Sequence, residues 1–227
     1  MNNIHHISDL VKSYISGDWG SDIPTQECTN LVACVRGADI NNLNNGQFEA
    51  LPMRYISTSA LQQKCLPAGS IIIEKSGGAP TQSTGRVAFI SEECVRANNN
   101  IICSNFCSAF SVRPEWDAKY VFYYLQYIYR LGVFFNFEGK TSGIRNLQVE
   151  QAFASIPIKQ IPLQMQRSIA SILSTIDCEI SLNRQINQNL SFRPCTISRR
   201  AIARYGSTCI TRLPDRSSAT ATTRYVA

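Results

Sequence analysis

His5 and His6 are the only imidazoles in this 227-residue chain, and they stand side by side at its start. Any Ser–His–Asp or Cys–His nucleophile would have to be built on one of them, in a stretch expected to be mobile. The nine cysteines, at 28, 34, 65, 94, 103, 107, 178, 195 and 209, include no Cys-x-x-Cys pair; the closest are Cys103 and Cys107. A zinc tetrahedron would need assembly across the fold, so the thiols are expected to be reduced and packed as small apolar groups. The run Gly77-Gly78-Ala79-Pro80-Thr81-Gln82-Ser83-Thr84-Gly85 is rich in glycine but lacks the Gly-Lys-Ser/Thr ending of a phosphate-cradling loop. No Gly-x-Gly-x-x-Gly follows a strand-like run. The Asn-Pro-Pro-aromatic segment with which amino-methyltransferases hold a flipped base is missing. Glu74-Lys75 stands without the second carboxylate that a metal-dependent nuclease needs. These residues predict a binder, with no catalytic group, cofactor or metal.

The net charge of +6 is unevenly distributed. Residues 1–190 hold 15 basic and 15 acidic side chains, whereas 191–227 hold seven Arg, no Lys and the single acid Asp215. A nucleic-acid partner is therefore argued from a local basic face and not from the pI. No run of 18 apolar residues occurs, and the first ten residues carry no apolar signal core. The expectation is a cytoplasmic chain with no membrane partner.

Three regions position the candidate residues. Over 1–160, short runs rich in Val, Ile, Phe and Cys predict strands at Leu31–Val35, Ile71–Ile73, Arg86–Ile90, Ile101–Cys103 and Cys107–Val112. Glu115–Phe135 reads as a helix, with Pro114 suited to its first turn and Gly132 marking its end. Its apolar spacing is carried by Tyr120, Phe122, Tyr123, Leu125, Ile128 and Leu131, and its aromatics are expected in the core. Over 161–190, Ile169, Leu173, Ile176 and Ile180 alternate four- and three-residue steps, the seam of a coiled coil, with Asn183 interrupting the stripe. A helix of roughly 25 residues would be about 37 Å long. It could dock on its own domain or pair with another helix. From Ser191 the chain has 11 Ser+Thr and no apolar period, which predicts a disordered basic tail.

Several segments, in order, carry a resemblance. They are Ser16-Gly17-Asp18-Trp19-Gly20; Val35-Arg36-Gly37-Ala38-Asp39-Ile40; and Leu66-Pro67-Ala68-Gly69-Ser70-Ile71-Ile72-Ile73 leading to Ser76-Gly77-Gly78. Gly85-Arg86-Val87-Ala88, Asn98-Asn99-Asn100, Gly139 to Leu147, Ile156-Pro157-Ile158 and Ile161-Pro162-Leu163 follow, and Gln166 to Asn189 closes the series. Together they resemble the specificity subunits of Type I restriction-modification systems over residues 7–190. Two departures stand out: Ser70 where that family has Asp, and Gln164-Met165-Gln166 where it has Glu-Gln.

The resemblance implies an α+β fold: a globular target recognition domain of mixed β-sheet and short helices, followed by a long spacer helix. It implies a non-catalytic subunit that reads about half of a bipartite site in double-stranded DNA. Methyltransferase subunits, and through them the restriction subunit, would be its partners. Full-length members carry two recognition domains and two spacer helices; this chain carries one set, so homodimerisation or pairing with another specificity half is expected. The abrupt change of composition after Leu190 suggests a spacer helix cut and continued in unrelated sequence.

Base reading needs donors and acceptors at a groove, with cations on phosphates. The loop positions suited to it are Lys75, Ser76, Gln82, Ser83, Arg86, Asn99, Lys140, Thr141, Ser142 and Arg145. The helix interface would use Ile169, Leu173, Ile176, Ile180 and Asn183. The competing classes are a stand-alone DNA-binding or interaction module and a metal-dependent nuclease. A DNA mimic should be strongly acidic, and residues 1–190 are neutral.

Overall fold

Ile71, Ile72 and Ile73 lie on a strand that is buried on both faces, which is why three β-branched residues follow one another without polar alternation. The computed structural model describes residues 4–77, 82–141 and 144–191. The tail expected from 191 onward lies outside them apart from Ser191.

The chain begins with β1 (Ile4–His6), α1 (Ile7–Leu10), β2 (Val11–Ser16) and β3 (Asn30–Val35), followed by α2 (Ile40–Asn44), β4 (Met53–Ile56) and α3 (Thr58–Lys64). Next come β5 (Ile71–Glu74), β6 (Ser76–Gly77), β7 (Val87–Phe89), α4 (Glu92–Asn98), β8 (Ile101–Cys103) and β9 (Cys107–Val112). The last elements are α5 (Ala118–Arg130), β10 (Glu138–Thr141), β11 (Ile144–Leu147), α6 (Val149–Ser155), β12 (Pro157–Lys159) and α7 (Leu163–Ser191).

An antiparallel sheet of order β2-β9-β5-β7 forms the centre. One face, with Ile71, Ile73, Val87 and Phe110, packs on Phe122 and Leu125 of α5, Phe134, and Phe153 of α6. The other face, with Ile72, Ala88 and Ala109, packs on Ala33, Val35, Leu43, Leu66 and Ile101. The sheet β4-β3-β8, in which β3 and β8 run parallel, supplies much of this second layer through Ala33, Val35 and Ile101. These mixed sheets and short helices, with the long α7 after them, are the α+β architecture that the resemblance implies.

The expected strands are present, that over 86–90 being shortened to Val87–Phe89. The aromatic helix is shorter than Glu115–Phe135. It starts at Ala118 because the Asp117 side chain accepts from Tyr120 N at 2.9 Å and caps it. Pro114 therefore lies before the helix, in a turn closed by Trp116 N donating to Arg113 O. The helix ends at Arg130, leaving Leu131 exposed, and 133–137 continues as a 3-10 turn. Most of its aromatics are core, but Tyr127 and Phe135 are exposed.

His5 and His6, expected in a mobile start, pair with Ile158 and Pro157 on β12. The His5 ring shares a hydrogen bond with Gln160 at 3.0 Å and meets Trp116 edge-on, so its role is packing. Cys34, Cys94, Cys103 and Cys107 are buried, and burial pushes the thiols of Cys34, Cys103 and Cys107 up to about 12 and that of Cys94 to about 11. Among the described residues no three His, Cys, Asp or Glu side chains group as metal ligands, and no helix is long and apolar enough to cross a membrane.

Candidate nucleic-acid interface

The neighbouring strands β10 and β11 meet β6, which is distant in sequence, in a small antiparallel sheet of order β10-β11-β6. Its register sets Lys140 opposite Arg145, Thr141 opposite Ile144, and Arg145 and Asn146 opposite Gly77 and Ser76. The chain enters it directly from the central sheet, since only Lys75 separates β5 from β6. Lys75 N donates to Phe106 O at 2.8 Å, and Lys75 O accepts from Leu147 N at 2.7 Å. The sheet therefore grows from the core and does not hang from it as a flap.

Strand alternation gives its two faces different work. Glu138, Arg145 and Leu147 share the inner one: Leu147 is core, and the Glu138 side chain is 2% exposed. Glu138 accepts from Thr84 N at 2.6 Å, from Thr84 Oγ1 at 3.0 Å and from Arg145 Nη1 at 3.3 Å. The Arg145 guanidinium also lies 5.9 Å from the Phe135 ring centre. Ser76 and Asn146 share the other face, joined by a 2.5 Å hydrogen bond from Ser76 Oγ to Asn146 Oδ1.

A second carboxylate sits below. Glu74, buried at the end of β5, takes Arg86 Nε at 2.9 Å and Nη2 at 2.6 Å. These hydrogen bonds raise the Arg86 pKa against the opposing effect of burial. Glu74 also explains the glycine of Val-Arg-Gly: a Cβ on Gly37 would lie 2.5 Å from Glu74 Oε1. The adjacent Arg36 is held by Asp39 through two 2.8 Å hydrogen bonds.

Of the positions expected to read DNA, Lys75, Ser76, Lys140, Thr141 and Arg145 thus belong to one sheet and its entry. Gln82 and Ser83 border it: Tyr129 OH donates to Ser83 O at 3.1 Å, and Gln82 hydrogen-bonds the same hydroxyl. Ser142 lies outside the described residues. Arg86 is committed to Glu74 beneath the sheet, 13% exposed. Asn99 is not brought to this group; it ends α4 with φ of 56°, at the opposite end of β8 from the turn that meets Lys75. Sequence reasoning missed Asn146, Glu74 and Glu138. Each contributes through a partner on another strand or segment, which spacing along the chain does not reveal.

The long helix α7 has two adjacent stripes. Gln166, Ala170, Ser174, Asp177, Ser181 and Arg184 face the domain. Gln166 is fully buried, accepting from Asp117 N at 2.9 Å and donating to Ile161 O at 2.8 Å. Lys119 Nζ donates to Ser174 Oγ at 2.9 Å, Tyr123 OH to Asp177 Oδ2 at 2.8 Å, and Ser181 Oγ to Asn45 O at 2.9 Å. Arg184 also meets Asn45. Burial and the Asp177 contact raise the Tyr123 pKa. The apolar stripe is turned away: Ile169 is half-buried, whereas Leu173, Ile176 and Ile180 are 36%, 46% and 43% exposed, and Asn183 is exposed as well. The helix docks on its domain through small and polar residues and leaves its seam uncovered. The chain divides into 1–185 and a second unit from Ile186, whose described part is residues 186–191 of α7.

A recognition-type α+β domain with an uncovered helical seam is the class that this geometry defines. A model of the Type I restriction modification DNA specificity domain matches residues 35–191, and the chain belongs to that family, a non-catalytic one. Among solved structures, the fold is similar to one titled for complex assembly and conformational transition of the type I R-M system. The TM-score is 0.55 and the identity 16%, over 83% of this chain and 41% of that one. It is also similar to the Type-I restriction-modification system S subunit from M. genitalium, with TM-score 0.50 and 14% identity over 89% of this chain and 48% of that one. The chain thus spans less than half the length of these chains. No curated protein matches this sequence.

Proposed function

We propose that this chain is a sequence-reading subunit that directs a Type I methyltransferase and endonuclease to about half of a bipartite DNA site. The observation that carries the reading is the β10-β11-β6 sheet, a polar surface rooted in the core by two buried carboxylates. A rigid surface with fixed donors and acceptors discriminates bases better than a mobile loop, because the ordering cost is already met before binding. Lys75, Ser76, Lys140, Thr141 and Ser142 are the proposed contacts, with Gln82, Ser83 and Asn146 at their margin, while Arg145 braces the sheet through Glu138 on its inner face. Arg86 supports the surface from below.

Residues 1–160 form the proposed recognition domain and 161–190 the spacer. Its uncovered seam of Ile169, Leu173, Ile176 and Ile180 would pair antiparallel with a second copy or with another specificity half, Asn183 favouring one register. Methyltransferase subunits would clasp the paired helices, methyl transfer and cleavage would belong to the partners, and the assembly would work in the cytoplasm.

The test is reconstitution with the methyltransferase subunit and S-adenosylmethionine on genomic DNA, followed by sequencing of methylated positions. Methylation confined to one bipartite motif, and dependent on this chain, is the expected outcome. Methylation that is the same with the chain omitted overturns the proposal.

A further inference from the structure

The turn Ser104-Asn105-Phe106-Cys107 carries the chain from β8, in the rear sheet, to β9, in the central one. It is closed by Cys107 N donating to Ser104 O at 2.9 Å and fixed on every side. Ser104 N donates to Val35 O at 2.9 Å, Asp18 N to Cys103 O at 2.8 Å, and Phe106 O accepts from Lys75 N and Ser76 N at 2.8 and 3.1 Å. Gly17 lies so close beneath it that a Cβ there would be 1.9 Å from Ser104 O. The two residues at the tip nonetheless point to solvent. Phe106 is 55% exposed, and the exposed Asn105 amide has no hydrogen-bond partner among the described residues.

A phenyl ring and an amide displayed together on a rigid turn contribute little to the core. Their place gives them another use. Phe106 O is bonded to Lys75 and Ser76, so the tip borders the Ser76–Asn146 pair and extends that surface. In the major groove an Asn amide matches the N7 acceptor and N6 donor of adenine, and an apolar ring matches the thymine methyl group.

We propose that the Asn105–Phe106 turn is a base-reading tip, Asn105 taking an adenine edge and Phe106 a thymine C5-methyl. This rests on the DNA-recognition function proposed above and deepens it by naming residues and the bases they select. The turn specifies A·T pairs at the part of the half-site it overlies, and Lys75 beside it supplies a phosphate contact.

The experiment selects duplexes from a random library with the full chain bound to its methyltransferase subunit, as wild type, Asn105→Ala, Phe106→Ser and Phe106→Leu. Both tip residues are exposed, so each variant should unfold at the wild-type urea midpoint. Asn105→Ala should lose about tenfold preference at one A·T position while the other positions keep theirs. Phe106→Ser should lose a thymine preference that Phe106→Leu retains. A readout that needs no variant is uracil in place of that thymine, which removes the methyl group alone. It should weaken the wild type about fourfold and leave Phe106→Ser unchanged. Identical preferences in all variants, with no effect of uracil at any thymine, overturn this proposal alone, provided that Lys75→Ala or Ser76→Ala alters binding. A wild-type complex that selects no sequence overturns the recognition function as well.

Discussion

Glu138 and Arg145 are diagonal neighbours across the β10–β11 hairpin, joined by a 3.3 Å ion pair on its buried face. Glu138 also accepts from the Thr84 N–H and hydroxyl, so one carboxylate ties the sheet to two segments. Glu138→Ala would leave the Thr84 donors and the largely buried guanidinium without their shared acceptor. The expected loss is about 3 kcal/mol, read as a lower urea midpoint with unchanged slope. Glu138→Gln keeps the hydrogen-bond acceptor and should lose less.

The Glu74–Arg86 pair is the more deeply buried one. Arg86→Met strands a buried carboxylate and should cost about 3 to 5 kcal/mol. The double variant Glu74→Met, Arg86→Met removes both charges and should recover much of that loss. A double variant as unstable as the sum of the two single ones would mean that the pair is not the source of the effect.

Much of this molecule is written locally in its sequence, and the unread part is the part that works at a distance. Ile71–Ile73 and Cys107–Val112 announce strands through β-branched and apolar density, and Ile169 to Ile180 announce a helix through spacing. The hairpin around Gly139–Arg145 reads as a loop because its residues are polar and small and do not alternate. Its strand character comes from pairing of β10 with β11 and of β11 with Ser76–Gly77, some 70 residues earlier. Arg86 and Arg145 look like phosphate ligands in one dimension. Their carboxylate partners lie on other strands and become visible only when the register is known. Pro114 suits a first turn and so points to a start at Glu115, whereas the Asp117 cap, three residues later in the chain, sets the start by satisfying Tyr120 N.

Alkali should destabilise the fold through its buried thiols. Burial holds Cys34, Cys103 and Cys107 near 12, so above the ordinary thiol pKa of about 8.5 the unfolded chain releases protons that the folded chain retains. The native state then binds more protons, and stability falls as pH rises from about 9 towards 12. Urea midpoints across that range measure it, and Cys107→Ala should flatten the slope. At pH 8, peptide mapping after alkylation should show Cys178, which is exposed, modified quickly and these three only on unfolding.

The two stripes of α7 make separable predictions. Gln166 is the anchor of the docked stripe, and Gln166→Ala would take from Asp117 N and Ile161 O, on half-buried residues, the partner that Gln166 supplies. Such unpaired groups cost about 1 to 3 kcal/mol each. The variant should therefore unfold at clearly lower urea, with earlier proteolysis near Ile161. Ile176 belongs to the other stripe and is 46% exposed, so Ile176→Asp should change the stability of the isolated chain by no more than about 0.5 kcal/mol. If the seam pairs with a second helix, the same change sets a carboxylate into an apolar interface and should abolish both self-association and binding of the methyltransferase subunit. Sedimentation equilibrium of wild type and both variants, with and without that subunit, separates the roles. Gln166→Ala lowers stability first, and Ile176→Asp lowers assembly alone. An Ile176→Asp chain that unfolds outright would place the seam against its own domain, and one that still assembles would move the interface to another face of the helix.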